Sequence, residues 1–190
     1  LAEAVNVALP IAQHKVPFNR LDFRRELPDL LPRIWGDKAQ LAQCVVSVLE
    51  NAWDAIQARQ EDRHLPAPPL GYKGLIRLAG STVTEPNPQT KQLAPWVVLT
   101  ISDNGIGLKP EDVRKLFIPF FTTKATAEKA FGSLFVVRRI IEAHGGTVSA
   151  DSTYGVGTTF TVKLPALSDE DAARRMTAGR IAGNGPVRPK

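Results

Sequence analysis

The sequence predicts a mixed α/β domain, in which two well-formed helices accompany short and mainly antiparallel strands. Three observations carry that prediction. Leu41, Cys44, Val45, Val48, Leu49, Ala52 and Ile56 recur at helical spacing, the pattern of one buried stripe. Val97, Val98, Leu99 and Ile101 make a short, continuous, β-branched run of the buried-strand type. Around residues 75–101 and 147–164, pairs of such runs are separated by Gly- and Pro-rich turns, the mark of hairpins.

The elements follow in order. Residues 1–14 open as a short amphipathic helix that Pro10 interrupts or ends. Phe18, Leu21 and Phe23 alternate with polar residues, which predicts a strand over 17–25, and Pro28 and Pro32 punctuate the next turn. Asp37 with Gln40 three residues on fits an N-cap and capping box for the helix over about 38–58. On that helix Ser47, Glu50, Asn51 and Asp54 form a polar line. Asn51 borders the apolar stripe, where a half-buried amide needs partners. Residues 57–73 read as a freely varying charged and Pro-rich loop, 75–78 as a strand, and 80–95 as a long polar excursion before a strand begins at Trp96. That strand stops at Asp103-Asn104-Gly105-Ile106-Gly107, two glycines just after a carboxylate. Glycine admits positive φ and close approach of a ligand, and a carboxylate at a strand end can accept from an exocyclic amine such as adenine's. On these residues alone an ordinary Asn-Gly turn stands as the other reading. Pro110-Glu111-Asp112 opens a helical turn, and Leu134, Val137, Ile140, Ile141 and His144 mark a second good helix closed by Gly145-Gly146. His144, alone in the last turn, reads as a packing or capping residue. Residues 147–149 and 158–164 are strands flanking Tyr154-Gly155-Val156-Gly157. The expected organisation is one domain over 1–166, then a short helix and a Gly/Pro-rich disordered tail over 167–190.

Composition narrows the function classes. The chain has 190 residues, 43% of them hydrophobic, and a formal charge of +5. No Lys/Arg run with interleaved aromatics is present, which argues against nucleic acid. Cys44 is the one cysteine, so no internal disulfide forms and a reducing cytosol is suitable. No apolar run approaches the roughly 18 residues that span a bilayer, and no signal peptide opens the sequence. The expectation is a soluble, cytoplasmic domain without membrane contact, including one cut from a membrane-bound sensor.

Five blocks in order, ENAWDA on a helix, DNGIGL after a strand, FIPFFTTK, IIEAHGGTV and GVGTTFTVKLP, resemble one family. It is the catalytic, ATP-binding domain of bacterial sensor histidine kinases of the nitrogen-regulation kind, within the GHKL ATPase superfamily (the Bergerat fold). The resemblance covers about residues 1–166. It implies a two-layer α/β sandwich, with a mixed, mostly antiparallel sheet, helices on one face and a mobile ATP lid. It implies ATP and Mg²⁺ as ligands. Asn51 corresponds to the asparagine that binds the phosphate-bound Mg²⁺. Glu50 beside it is the second catalytic candidate, placed to orient Mg²⁺-bound water. Asp103 corresponds to the acceptor of the adenine amine, with Gly105 and Gly107 letting the backbone pass the base. Asp54, Ala55, Ile106 and Leu108 are nucleotide contacts by the same correspondence. Phe117, Phe120 and Phe121 match the aromatic block at the start of the lid. Thr122, Thr123 and Lys124 follow them, and Gly132, Ser133 and Leu134 close the lid. Thr158 matches a threonine near the adenine-side water network.

Three functions remain open at this level. A histidine kinase module presents ATP to a histidine on its own dimerisation domain, and implies a response regulator and a full-length homodimer. His14, His64 and His144 are all unsuited to be that phosphoacceptor, since none lies in an acidic, amphipathic helix. A water-using ATPase of the gyrase, chaperone or mismatch-repair kind carries a glutamate base one turn before the asparagine, where this chain has Ser47. A degenerate domain that binds partners instead of ATP is suggested by the lid. There the family's run of glycines is replaced by residues 125–134, with Gly132 the only glycine.

Overall fold

The computed structural model describes residues 1–62, 64–68, 70–87, 91–119 and 133–167. Among the described residues the chain forms four α-helices and five strands. In order these are α1 (Ala2–Ala12), β1 (Asp22–Glu26), α2 (Lys38–Glu61), β2 (Leu75–Pro86), β3 (Leu93–Asp103), α3 (Pro110–Val113), α4 (Ser133–Ala143), β4 (Thr147–Thr153) and β5 (Gly157–Pro165). The strands form one sheet in the order β1-β2-β3-β5-β4, with β1 parallel to β2 and every other pair antiparallel. Among the described residues no helix is long and apolar enough to cross a membrane.

The expected two-layer architecture follows from strand alternation. Ile76 and Leu78, Val97, Leu99 and Ile101, and Phe160, Val162 and Leu164 all point to one face, where α2 packs on β2, β3 and β5, α4 packs on β4 and α2, and α1 packs behind on α2. The other face is polar along much of β3 and β5, though Trp96 and Val98 are buried on it. Ser102 faces Thr159 across β3 and β5, and the Thr159 hydroxyl donates to Ser102 Oγ at 2.9 Å. Lys163 meets Glu85 at 2.7 Å on that face. A sheet with helices on a single side carries its main apolar core on that side and its polar pairs on the other.

Several boundaries differ from the sequence expectation. α1 runs through Pro10 to Ala12, because Ala4, Val5, Ala8 and Ala12 are buried against α2 and the proline falls in the last turn. The strand expected over 17–25 begins at Asp22, after Phe18–Arg20 forms a 3₁₀ turn. The segment read as a polar excursion is mostly ladder, since β2 continues to Pro86 and β3 starts at Leu93, with Pro86 opposite Leu93. Thr82, Val83 and Thr84 supply the β-branched residues that keep it extended. α2 continues three residues past the expected end, to Glu61. Its N-cap is Asp37, whose Oδ1 accepts from the N–H groups of Ala39 (2.8 Å) and Gln40 (3.1 Å). The N–H of Asp37 itself donates to His144 Nε2 at 2.9 Å, and His144 Nδ1 lies 2.7 Å from the Ile140 carbonyl. His144 is therefore the neutral tautomer with Nδ1–H donating, and it ties the end of α4 to the start of α2. The tail expected beyond residue 167 lies outside the described residues.

Candidate functional site

A cleft of about 720 Å³ opens at the end of the sheet where β3 stops and β5 begins. α2 makes one wall. Its apolar stripe faces the sheet, so Asn51 and the residues three, four, seven and eleven further on (Asp54, Ala55, Ala58 and Asp62) line the cleft. The floor is Asp103, opposite Thr158 in the β3–β5 ladder, and the other wall is Ile106, Gly107 and Leu108. Leu116 and Leu134 border it on the side where the chain leads into and out of residues 120–132.

The turn after β3 is held from three directions. Ile106 N–H donates to Ala55 O at 2.9 Å, and a Cβ on Gly105 would strike the Ala55 backbone, so the turn lies directly on α2. Gly107 has φ +67°, and a side chain there would collide with Thr153 O of the β4–β5 turn. Gly155 N–H returns a hydrogen bond to Ile106 O at 2.6 Å. These two glycines thus permit backbone to meet backbone within the protein. Asn104 is structural as well: its Oδ1 accepts from Leu75 N–H (2.8 Å), and its Nδ2 donates to Lys73 O (3.0 Å).

Asp103 is 9% exposed. Its Oδ1 accepts from Gly105 N–H at 2.8 Å, and the Thr158 N–H donates to the same carboxyl group. Burial outweighs both donors and pushes the carboxyl up to about 7. Beside it, Thr158 Oγ1 lies 2.8 Å from Ser152 Oγ, which accepts from Leu108 N–H (2.9 Å) and donates to Gly157 O (3.0 Å). Asn51 is half-buried, with Nδ2 donating to Ser47 O one turn back at 2.7 Å. The group it can offer a hard cation is then the amide oxygen. Among the described residues no cluster of three His, Cys, Asp or Glu side chains forms a metal site, so a cation here would draw its other ligands from a bound anion and water.

The structure brings Asn51, Asp54, Ala55, Asp103, Ile106, Gly107, Leu108, Leu134 and Thr158 to one cleft, with Gly105 behind its wall. Glu50 is not brought there. It pairs with Lys15 at 3.0 Å, on the side of α2 that faces the end of α1. Phe120, Phe121, Thr122, Thr123, Lys124 and Gly132 lie outside the described residues, as does the side chain of Ser133. Sequence reasoning missed Ala58, Glu61 and Asp62, which extend the Asn51 line by helical spacing and were legible in principle. It also missed Lys109 and Tyr154. Lys109 Nζ sits 5.6 Å from the Tyr154 ring centroid, and the Tyr154 hydroxyl donates to Asp62 Oδ2 at 3.1 Å. Tyr154 had no local signal, because the β4–β5 pairing alone places it there.

Comparisons with known proteins bear on the family and the fold. A family model described as histidine kinase-, DNA gyrase B-, and HSP90-like ATPase matches residues 36–168. Sporulation kinase B of Bacillus subtilis (strain 168) is 32% identical over 139 residues, which is 73% of this chain and 26% of that protein. Sensor histidine kinase ZraS of Escherichia coli (strain K12) is 29% identical over 161 residues, 85% of this chain and 29% of that protein. The chain therefore spans less than a third of the length of these curated relatives. Among solved structures, a mycobacterial sensor histidine kinase, MprB, shares the fold with a TM-score of 0.65 at 20% identity, over 87% of this chain and 95% of that one. A family match of that extent, on a chain whose fold agrees, makes this protein a member of the histidine kinase-, DNA gyrase B-, and HSP90-like ATPase family.

Proposed function

We propose that the domain spanning residues 1–166 is the catalytic module of a two-component sensor histidine kinase, binding Mg-ATP and presenting its γ-phosphoryl group to a histidine on a separate dimerisation domain. The observation that carries this reading is the buried Asp103 carboxylate on the floor of a cleft whose opposite wall is the Asn51 line of α2. A desolvated carboxylate of this kind accepts from the 6-amino group of adenine and disfavours guanine, which has a carbonyl oxygen at that position. The kinship with proteins named as sensor histidine kinases supports phosphotransfer over the alternatives. Ser47 occupies the position where a water-using ATPase needs its carboxylate base, and a hydroxyl is a poor base near neutral pH. The response regulator and the homodimeric, cytoplasmic full-length protein are proposals on the same kinship.

The residues present fit the expected ligands. Asp103 holds the base edge, with Thr158 and Ser152 beside it; Ala55, Ile106 and Leu108 give the apolar walls a planar ring needs. Asn51 would hold Mg²⁺ through its amide oxygen, and the metal supplies charge neutralisation between phosphate oxygens. The chain's own residues orient the nucleotide and exclude water from its base; the nucleophile comes from the partner domain.

The test is calorimetric titration of the 190-residue chain with ADP and GDP. ADP is expected to bind at least ten times more tightly than GDP, and Asp103→Asn to erase that preference, because a charge-assisted hydrogen bond is worth about 1.5–3 kcal/mol. Equal affinities for the two nucleotides in the unsubstituted chain would overturn the assignment.

A further inference from the structure

Tyr72 lies in the α2–β2 connection, a segment whose composition suggested nothing but a loop. Its phenol is half-buried, and the hydroxyl donates to Asn104 O at 2.9 Å, with Asn104 Oδ1 at 3.3 Å as a second acceptor. Asn104 O and Gly105 N belong to one peptide group, and that same group's N–H donates to Asp103 Oδ1 at 2.8 Å. The hydroxyl, the amide and the carboxylate thus form a chain of two hydrogen bonds sharing one amide. A donor on the carbonyl polarises the amide and makes its N–H a stronger donor, an effect that grows where water is excluded.

We propose that Tyr72 is a positioning residue of the base pocket, acting on Asp103 through the Asn104–Gly105 peptide to favour its ionised carboxylate and aim it at the ligand. This inference rests on the nucleotide reading above and deepens it.

The surroundings support the assignment. The charged and titratable groups facing the cleft are Asp54, Glu61 and Asp62 from α2, Lys109 and Asp112 at α3, and Tyr154 from the β4–β5 turn. Arg59, buried on α2, acts on both Tyr72 and Tyr154. The carboxyl of Asp103 itself is set by burial and by the Gly105 and Thr158 N–H groups, so the strength of the Gly105 donor bears on it directly. Burial holds the Tyr72 phenol above its ordinary range, so it stays a donor throughout the pH interval in which Asp103 titrates.

The experiment compares the unsubstituted chain with Tyr72→Phe, which deletes only the hydroxyl. The ligand-free Asp103 carboxyl carbon is followed by ¹³C NMR across pH 5 to 9, and ADP affinity is measured by calorimetry over the same range. Tyr72→Phe is expected to raise the Asp103 midpoint by about half a pH unit, the size of a roughly 10–30% change in a charge-assisted hydrogen bond. ADP affinity is then expected to fall about threefold below the midpoint and to stay level at pH 8.5 and above. Tyr154→Phe, which removes a cleft hydroxyl that donates to Asp62 and not to the Asn104–Gly105 peptide, is expected to leave the Asp103 midpoint in place. An unchanged or lowered midpoint in Tyr72→Phe would overturn the proposal, as would an affinity loss of equal size at every pH, the signature of a merely structural role. If the unsubstituted chain bound no ADP while the midpoint still moved, the nucleotide reading would fail and the coupling of Tyr72 to Asp103 would stand.

Discussion

The buried Asp103 carboxyl makes stability depend on pH with a definite sign. Burial lifts this carboxyl to about 7 in the folded chain, well above the ordinary carboxylate value of 3.8 that the unfolded chain shows, so between those values the native state binds the extra proton. Stability from this group is complete below about pH 4 and is lost as pH rises through 7. The ligand-free chain is therefore expected to be more stable at pH 5 than at pH 8 by up to a few kcal/mol from this group alone. Asp103→Asn should flatten that difference in urea denaturation at the two pH values, and an undiminished slope in the variant would place its origin elsewhere. The carboxylate and its glycines were legible in the sequence because a charge and two Gly residues closing a β-branched run are conspicuous. Tyr72 and Tyr154 were not, since each acts on a turn that is distant along the chain and near only through pairing.

On the level of elements, α2 was the most legible part of the chain, because one helix carries its own cap, its buried stripe and its cleft line at a single period. β1 was less so. Its parallel pairing with β2, Asp22 opposite Leu75, leaves no local trace, since the whole of α2 intervenes. The helix ends were legible in kind but not in detail. Asp37 and Gln40 were read as a reciprocal box, yet Gln40 Nε2 reaches Asp37 Oδ2 at 3.4 Å, and His144 from α4 takes the N–H a box would satisfy. Removing the His144 ring leaves that N–H without its acceptor. His144→Ala is expected to lower stability by about 0.5–1.5 kcal/mol, read as a lower urea midpoint, with the ADP preference over GDP retained. Loss of that preference would show that the latch between α4 and α2 shapes the cleft.

For the whole molecule, the lid is where kinship and this chain part. The family resemblance expects glycines at positions that carry Phe131 and Ser133, and a Cβ disfavours positive φ by about 1–2 kcal/mol. ATP and ADP are therefore expected to bind this chain with similar affinity, and Phe131→Gly combined with Ser133→Gly to tighten ATP selectively. Calorimetry on both chains decides it, and tight ATP binding before any substitution would refute the expectation. The sheet has a further consequence. β2–β3 and β4–β5 are two hairpins of short range, whereas β3 meets β5 across more than fifty residues, and Asp103 and Thr158 stand on opposite sides of that seam. The floor of the cleft is thus shared between the two hairpins, and the proposed base site is incomplete until they have docked. A nucleotide should then act as a late lock on folding: it slows unfolding in stopped-flow traces by the factor it adds to stability, and leaves the folding rate where it was.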